Sequence, residues 1–399
     1  MPDQTDEPEH HDVLVVGGGN AGISLAAKLL RDGIRDVAVV ESQPVHRYRP
    51  LLNYVAGGEA TMSALSRAAE RVVPDGCTSI RDEVVSVDPA TLSVATRSGR
   101  RLTCATLVVC PGLDEAWDAT PGLAGAYADG WAASSFDDDT AASVWPALRE
   151  LRSGRVVFTV PPEPAPCGAT ALKPLFMACD HWRRAGVLAD IEVHLVLPGP
   201  TPRGLSGPDA RLERILAAYD VEVHREATVT GLGDREVTIG SATGARVLGD
   251  VAFAHVVPHY RAPRWVVDGG LAGEHPAGLV GIDPLTLRHR RYPDIWSIGD
   301  VADIATPSSG GALRKQVAVL AANLAAVRDG GDLEHYDGYT VMPITTSRRR
   351  LMLGEVDRDG RPQPTVPFVD LTKPRAVTWW VDRYALPQVY WRRLLRGKV

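Results

Sequence analysis

One cysteine in this sequence stands where its chemistry could be used. Cys167 lies in "PAPCGATALKP", residues 164–174, between an apolar segment and a run of helical periodicity. A thiol at the first turn of a helix faces unpaired backbone N–H groups, and the cation Lys173 lies six residues on, so both features favour the thiolate. The pattern therefore predicts a nucleophilic role for Cys167, supported by Lys173. A small buried side chain that only fills space is the alternative.

The N-terminal segment "DVLVVGGGNAGISLAAKLL" predicts a strand, a glycine turn and a helix that together bind a dinucleotide. In such a turn the first glycine allows the tight bend, the second lets the backbone approach a pyrophosphate, and the third lets the helix pack on the strand. The helix N-terminus then faces the phosphates. A second strand ends in a carboxylate that suits an adenosine ribose. The predicted contacts are Gly17, Gly19, Asn20, Ala21, Gly22 and Glu41.

A second segment far downstream favours FAD over NAD. "RRYPDIWSIGD" predicts a strand that closes on Gly299 and Asp300, followed by a serine–glycine turn and another helix. This arrangement resembles FAD enzymes with two dinucleotide-binding domains, in which an aspartate at this strand end holds the ribityl chain. The next helix points its positive N-terminus at the flavin. "TLVVCPGL", residues 106–113, resembles the end of the first FAD segment in that class, with Gly112 in the turn.

The middle of the chain lacks a second glycine fingerprint. After the predicted strand "GRVVFTV", the turn holds four prolines, which have no N–H to offer a pyrophosphate: Pro161, Pro162, Pro164 and Pro166. NAD(P)H binding at this turn is therefore disfavoured, and so is a type II NADH dehydrogenase.

These patterns predict an α/β protein with two Rossmann-like domains and a C-terminal α+β extension. The predicted boundaries are a disordered tail over 1–11, a split FAD-binding domain over 12–118 and 259–334, a second Rossmann-like domain over 119–258, and a hairpin with an amphipathic helix over 335–399. The hairpin is expected around the turn Asp359-Gly360.

Composition excludes several classes of function. The chain of 399 residues carries a net charge of -6, which argues against nucleic acid as its partner, and it has no apolar run long enough to span a bilayer. Its first eleven residues do not resemble a secretory signal. The five cysteines suit neither a disulfide framework nor a zinc site, so we expect a reducing compartment, the cytoplasm, and no bound metal.

The C-terminus reverses the overall charge. From Lys373 onward there are seven basic residues and one acid, Asp382. From Pro387 onward one helical face is apolar and the other carries arginines, which predicts contact with an anionic membrane surface through 387–399. A helix docked on its own flavin domain is the alternative.

Several blocks together resemble the type II branch of the sulfide:quinone oxidoreductase family. They are "VESQPVHRYRPL", "PAPCGATALK", "DPLTLRHRRYPDIWSIGD", "HYDGYTVMPITT" and "LPQVYWRRLLRG". The resemblance implies that the Cys167 sulfur sits over the flavin and adds to its C4a carbon, and that Lys173 matches a lysine of the same motif. At two other family positions this chain differs, because Met342 matches the second redox cysteine and Asp382 matches a lysine.

The leading expectation is an FAD enzyme that oxidises sulfide or another small sulfur nucleophile and passes electrons to a quinone, at the cytoplasmic membrane face if it is peripheral. Without a second cysteine, a soluble thiol has to accept the sulfur. The alternatives are a repurposed relative that oxidises an organic thiol or another metabolite, and a non-catalytic protein stabilised by FAD.

Overall fold

The computed structural model describes residues 8–202 and 206–398 and shows an α/β protein with the two Rossmann-like domains expected from the sequence. The sheet of the FAD domain is ordered Thr78–Ile80, Val37–Val40, Glu9–Val16, Arg101–Val109, Ser93–Thr96 and Val84–Asp88. Strand Ile295–Ser297 joins this sheet in parallel beside Arg101–Val109. Two segments separated by about half the chain therefore build one sheet.

The helices of the FAD domain cover this sheet and the loops at its edge. Helix Asn20–Arg31 buries Ile23, Leu25 and Leu29, and the longest helix is Leu313–Asp329. Shorter helical segments are Arg49–Leu51, Leu52–Val55, Met62–Leu65, Ala69–Arg71 and Arg264–Asp268. Two pairs of short antiparallel strands complete the domain: Val45–Arg47 pairs with Ser66–Ala68, and Asp114–Ala116 pairs with His259–Arg261.

The middle domain holds a five-stranded parallel sheet ordered Ala132–Ala133, Val251–His255, Gly154–Thr159, Ile191–Val196 and Glu222–His224. Its central strands Gly154–Thr159 and Val251–His255 are mainly apolar because both faces of the sheet are covered there, whereas the edge strand Glu222–His224 is partly exposed. The helical segments are Trp117–Ala119, Leu123–Ala128, Ala141–Glu150, Gly168–Ala171, Leu172–Ala185, Leu188–Asp190 and Ser206–Ala218. A three-stranded antiparallel sheet is built from Ala227–Gly233, Glu236–Ser241 and Gly244–Leu248.

The first strand begins at Glu9, so the predicted tail boundary at residue 11 is too late. The polar residues at the start of this strand have hydrogen-bond partners. His10 Nδ1 lies 3.1 Å from the Thr103 hydroxyl, and His11 Nδ1 lies 2.9 Å from an Asp36 carboxylate oxygen. Polar composition suggested a tail, but cross-strand partners make these residues part of the sheet. Residues 1–7 lie outside the described part of the chain.

The C-terminal hairpin pairs Thr340–Ser347 with Arg350–Val356, so its turn lies at Arg348 and Arg349 and not at the predicted Asp359-Gly360. The last residue pair of the hairpin is Ser347 with Arg350. The turn between them consists of arginines, a residue type that does not predict a turn. Gly360 does occupy a turn, with φ +75°, but this turn connects Val356 to a single bridge at Pro362.

The chain then continues through three consecutive helical segments, Ala376–Trp380, the π-helical Val381–Ala385 and Leu386–Arg392, and a final turn at Leu394–Arg396. Within the described residues, no helix combines the length and the apolar character that a bilayer crossing requires.

Candidate active site

The glycine turn after the first strand excludes side chains at two positions. Gly17 has φ +104°, and a Cβ built on it would lie 2.4 Å from the carbonyl oxygen of Cys110. A Cβ on Gly22 would lie 1.9 Å from the carbonyl oxygen of Gly17. The predicted roles of Gly17 in the bend and of Gly22 in close packing are therefore visible in the backbone itself.

Gly19 faces open space, since a Cβ built there meets no atom within 4 Å. Helix Asn20–Arg31 starts directly after it, and no side chain caps its N-terminus. The backbone N–H groups of this first turn are thus available to a pyrophosphate. This geometry fits the dinucleotide half of FAD.

Glu41 lies at the end of the neighbouring strand and is held by two backbone N–H groups. Gly18 N–H donates to Oε2 at 2.7 Å, and Gln43 N–H donates to Oε1 at 2.7 Å. The carboxylate is therefore fixed beside the glycine turn, where a ribose hydroxyl would need an acceptor.

The downstream FAD segment meets the same turn. Gly299 has φ +82°, and a Cβ on it would lie 3.3 Å from the Cβ of Ala21. Its N–H donates to Gln316 Oε1 of the long helix at 3.0 Å. Gly112 also has a positive φ, +82°, just after strand Arg101–Val109.

Asp300 follows Gly299 and is partly buried. Burial raises the pKa of its carboxyl, while a hydrogen bond from Ser308 and the charge of Arg49 act in the opposite direction. A carboxyl in this position suits hydrogen bonding to the polyol chain of a flavin cofactor. Arg49 was not predicted as a site residue, although it lies in the quoted block "VHRYRPL".

Cys167 has the left-handed backbone angles φ 57° and ψ 53°, which cost a non-glycine residue of the order of 1–3 kcal/mol. Its carbonyl accepts hydrogen bonds from the N–H of Thr170 at 2.9 Å and from the Thr170 hydroxyl at 2.8 Å. The residue is half-buried and begins the 3-10 turn Gly168–Ala171, which leads directly into helix Leu172–Ala185. The predicted helix N-terminus is therefore present, with a 3-10 first turn.

The loop over residues 160–167, here called the cysteine loop, is fastened to the FAD domain. The Ser308 hydroxyl donates to the Ala165 carbonyl at 2.9 Å, and Asn53 Nδ2 donates to the Thr170 hydroxyl at 3.3 Å. Ser308 also reaches the Asp300 carboxyl. The structure thus brings Cys167, from the middle domain, to the second FAD segment.

Glu163 of the cysteine loop is a candidate that sequence reasoning missed. The side chain of Glu163 is exposed, but partial desolvation of the carboxyl by nearby protein and the negative charge of Asp300 raise its pKa to about 7. The Ala165 N–H donates to it at 3.0 Å, and a Cβ on Gly168 would lie 3.6 Å from Oε1. A carboxyl with such a pKa is suited to proton transfer near neutral pH. The only sequence signal was one acid among four prolines.

Lys173 forms an ion pair with Asp382, Nζ to Oδ2 at 2.8 Å, and both side chains are buried. The Tyr54 hydroxyl donates to the same carboxylate oxygen at 2.6 Å, and Nζ lies 4.8 Å from the centre of the Tyr54 ring. Burial and the Asp382 charge raise the pKa of Tyr54. The structure therefore shows Lys173 bound to the C-terminal segment, and its support of the Cys167 thiolate stays a prediction.

The comparisons with known proteins agree on one group. A model of the pyridine nucleotide-disulphide oxidoreductase family matches residues 11–151. Mitochondrial sulfide:quinone oxidoreductase of Mus musculus is 27% identical over 394 residues, covering 97% of this chain and 87% of that protein. The corresponding protein of Dictyostelium discoideum is 27% identical over 393 residues, covering 97% and 86%.

The chain is similar to sulfide:quinone oxidoreductases over nearly its whole length. The solved structure of the Aquifex aeolicus sulfide:quinone oxidoreductase has the same fold, with a TM-score of 0.83 at 18% identity over 98% of this chain and 92% of that one. The resemblance inferred from the sequence is confirmed, and with it the assignment as an FAD-dependent oxidoreductase.

Met342, which the sequence resemblance predicts to occupy the position of a second redox cysteine, lies on a strand that packs against the cysteine turn. It is buried on strand Thr340–Ser347, which packs on Gly168–Ala171 and on the following helix. Met342 shares a hydrophobic cluster with Ala169 and Leu172. The side chain that replaces the cysteine is therefore close in space to the residues that follow Cys167.

The C-terminal helix docks on the FAD domain by the face expected to meet a membrane. Tyr390, Trp391 and Leu395 are buried in the main core, and Arg67 stacks on the Trp391 ring at 4.2 Å. This apolar face is not available to a lipid surface. The helix is amphipathic, as the sequence pattern predicts. An amphipathic pattern alone cannot distinguish a helix that packs on its own protein from one that packs on a membrane.

The same helix supports the glycine turn through His46. The Tyr390 hydroxyl bonds to His46 Nε2, and His46 Nδ1 lies 3.1 Å from the Gly18 carbonyl oxygen. Burial lowers the pKa of His46, which keeps the ring neutral and able to donate with one nitrogen while accepting with the other.

Proposed function

We propose that this protein oxidises sulfide, or another small sulfur nucleophile, through Cys167 and passes the electrons to a quinone. The supporting observation is the fastening of the strained Cys167 turn to the second FAD segment through Ser308 and Ala165. The relatives named sulfide:quinone oxidoreductase, matched over nearly the whole chain, support the same reaction class.

Cys167 and Glu163 have separate tasks in this reaction. Cys167 binds the sulfur of the substrate, and its left-handed backbone fixes the direction of its side chain. Glu163, ionised above about pH 7, takes the proton that the sulfur releases. FAD, when bound, accepts two electrons from the sulfur.

A cycle with one cysteine needs an external sulfur acceptor, because Met342 cannot form a disulfide. We propose a small thiol RSH in this role, so that one hydrogen sulfide and one RSH give RSSH, two protons and two electrons. The electrons leave through the flavin to the quinone, and the persulfide diffuses away.

The quinone partner implies contact with a membrane, and the structure offers an exposed apolar surface next to the docked helix. It is here called the apolar patch and consists of the exposed apolar side chains of the consecutive C-terminal helical segments: Val377, Trp380, Val381, Tyr384, Leu386 and Val389. The exposed cations Arg392 and Arg393 follow it in the chain. Such a combination suits an anionic lipid surface. The cytoplasmic location stays a prediction.

Oxidation of an organic thiol is the second candidate, favoured by Met342 in place of a resolving cysteine. In this case a substrate thiol and Cys167 would form a mixed disulfide with release of two protons and two electrons, which FAD, when bound, would accept. A second substrate thiol would then displace Cys167 and leave as RSSR, so inorganic sulfide is not required. Anaerobic mixing of the FAD-loaded protein with sulfide, or with a panel of small thiols, separates the two candidates.

The test of the main proposal is the loss of flavin absorbance on anaerobic addition of sulfide, with and without a small thiol acceptor. Cys167→Ser should keep FAD and lose this bleaching. Cys77→Ser changes a cysteine of the FAD domain and should leave it unchanged. Fast bleaching that survives Cys167→Ser contradicts the proposal.

A further inference from the structure

Three side chains that the flavin chemistry does not use meet at the edge of the parallel sheet in the middle domain. His194 lies on strand Ile191–Val196, while Glu222 and His224 lie on the neighbouring edge strand. In the parallel register His194 is opposite Glu222, and Val196 is opposite His224. Since side chains alternate along a strand, the three project from the same face of the sheet.

Their ligand atoms have the spacing of a metal site. His194 Nδ1 lies 3.2 Å from His224 Nε2 and 3.4 Å from Glu222 Oε2, and His224 Nε2 lies 3.8 Å from Glu222 Oε1. Zinc–nitrogen and zinc–oxygen bonds of about 2.0–2.2 Å in a tetrahedron separate the ligand atoms by about 3.3–3.6 Å. His194 Nδ1 therefore lies within about the zinc-ligand spacing of both other residues, and the ligand atoms of all three residues lie within 4.8 Å of one another.

The cluster contains one carboxylate, and one guanidinium lies beside it. Glu222 is ionised and its Oε1 already contacts the Arg246 guanidinium, which leaves Oε2 beside His194. Arg246 is the competing cation and limits affinity.

The other ring nitrogen of His194, Nε2, gives independent support for a metal at Nδ1. His194 is 3% exposed, and its Nε2 is buried with no hydrogen-bond partner within the described part of the chain. The nearest carboxylate oxygen is Glu192 Oε2 at 3.8 Å, which also pairs with Arg155. Metal binding at Nδ1 would place the ring proton on Nε2, facing Glu192, which is the carboxylate–histidine–metal arrangement common in metalloproteins.

We propose that His194, Glu222 and His224 bind one Zn²⁺ ion, with water as the fourth ligand. Two imidazoles and one carboxylate form a donor set that suits zinc. The ion would join the three-residue edge strand Glu222–His224 to its neighbour, so its role is structural and independent of the flavin. No metal was expected from the sequence, because the cysteines suit no zinc site and the two histidines are thirty residues apart.

The test uses FAD-loaded full-length protein without a polyhistidine tag, stripped with a chelator and dialysed. Titration with zinc chloride in a calorimeter should give one saturable site per chain, and Zn²⁺ should raise the melting temperature. His224→Gln and Glu222→Gln should each weaken Zn²⁺ binding about tenfold or more and abolish the thermal shift.

His335→Gln is the matched control, since this histidine is exposed and lies outside the cluster. It should bind Zn²⁺ as the unmodified protein does. Because Glu222 is a surface residue, Glu222→Gln should fold even if a histidine variant does not. No saturable Zn²⁺ binding, or binding that neither cluster variant weakens, overturns the proposal.

Discussion

Lys173 and Asp382 are 209 residues apart in sequence and form a buried ion pair of 2.8 Å. Their side chains are 1% and 5% exposed. Lys173 lies on the helix that follows Cys167, and Asp382 lies on the π-helical segment of the C-terminus, so this pair joins the cysteine turn to the segment beside the apolar patch. The resemblance in the sequence implies a lysine at the position that Asp382 occupies, whereas the structure shows an acid there as the counter-ion of Lys173.

The first prediction concerns this pair. Asp382→Asn should lower the free energy of unfolding by about 3–5 kcal/mol, because it leaves Lys173 as a buried charge without a counter-ion. Adding Lys173→Met removes that charge and should recover part of the loss. Urea denaturation monitored by tryptophan fluorescence measures both effects.

The control for the first prediction is the exposed pair Lys28 and Asp32. Asp32→Asn should cost at most about 1 kcal/mol, since exposed ion pairs contribute little. If Asp382→Asn costs no more than Asp32→Asn, the buried pair does not stabilise the fold as described.

The second prediction concerns the open position in the glycine turn. Gly19→Val should give protein with little or no FAD, because its side chain would fill the space that the pyrophosphate needs. Gly125→Val is the control, since Gly125 also has room for a side chain but lies on a surface helix of another domain. The measurement is the FAD content per chain after gel filtration. Equal FAD content in the two variants would contradict the assignment of Gly19 to the pyrophosphate site.

The cofactor turns were predictable because they depend on local backbone geometry. Gly17 and Gly299 need positive φ, and Gly22 needs close packing, so these requirements are written in residue type and spacing. The second FAD segment was predicted from the same kind of pattern.

The contacts between distant segments were not predictable in this way. Nothing near Lys173 in the sequence identifies Asp382 as its partner, and nothing near Tyr390 identifies the His46 it covers. Glu163 depends on the surroundings of its carboxyl, including Asp300, which is 137 residues away. The hairpin turn was misplaced for a related reason, since pairing across the strands, and not a glycine, determines where the turn lies.

The third prediction concerns the pKa of Glu163, which is raised to about 7 by burial and by Asp300. Above this pH the ionised carboxylate lies close to Cys167 and opposes formation of its thiolate. Glu163→Gln should therefore speed the alkylation of Cys167 by iodoacetamide above pH 7. Below about pH 6 the glutamate is protonated, so the rates of variant and parent should converge.

Mass spectrometry of the peptide that contains Cys167 gives these alkylation rates. Glu70→Gln removes an exposed carboxylate elsewhere and should change nothing. A constant ratio of rates between the Glu163 variant and the parent across the pH range would exclude the raised pKa. The raised pKa of Glu163 also affects the free energy of unfolding, because the folded pKa lies above the ordinary value of 4.5. The stabilisation that protonated Glu163 contributes is fully present below about pH 4.5 and is lost as the pH rises through about 7.

The fourth prediction concerns the apolar patch. Removal of residues 387–399 would also remove buried core side chains, so surface substitutions are the sharper test. Val377→Ser combined with Trp380→Ser should weaken binding to anionic liposomes at least tenfold. Full burial of one apolar side chain gains about 1.5–3 kcal/mol, and about 1.4 kcal/mol already changes affinity tenfold. Val247→Ser, equally exposed on another sheet, should have no effect in the same sedimentation assay.

The fifth prediction returns to the cysteine turn. Met342 lies on the strand that packs against Gly168–Ala171, so Met342→Cys should place a second sulfur near Cys167. We expect the two thiols to form a disulfide under mild oxidation and the variant to reduce quinone with sulfide without an added thiol acceptor. Met352→Cys is the control, because it puts a thiol into the same cluster from the partner strand, where no homologous redox cysteine is expected. The number of free thiols before and after oxidation distinguishes the outcomes. If the thiol introduced by Met342→Cys stays reduced to the same extent as the thiol introduced by Met352→Cys, residue 342 does not face Cys167.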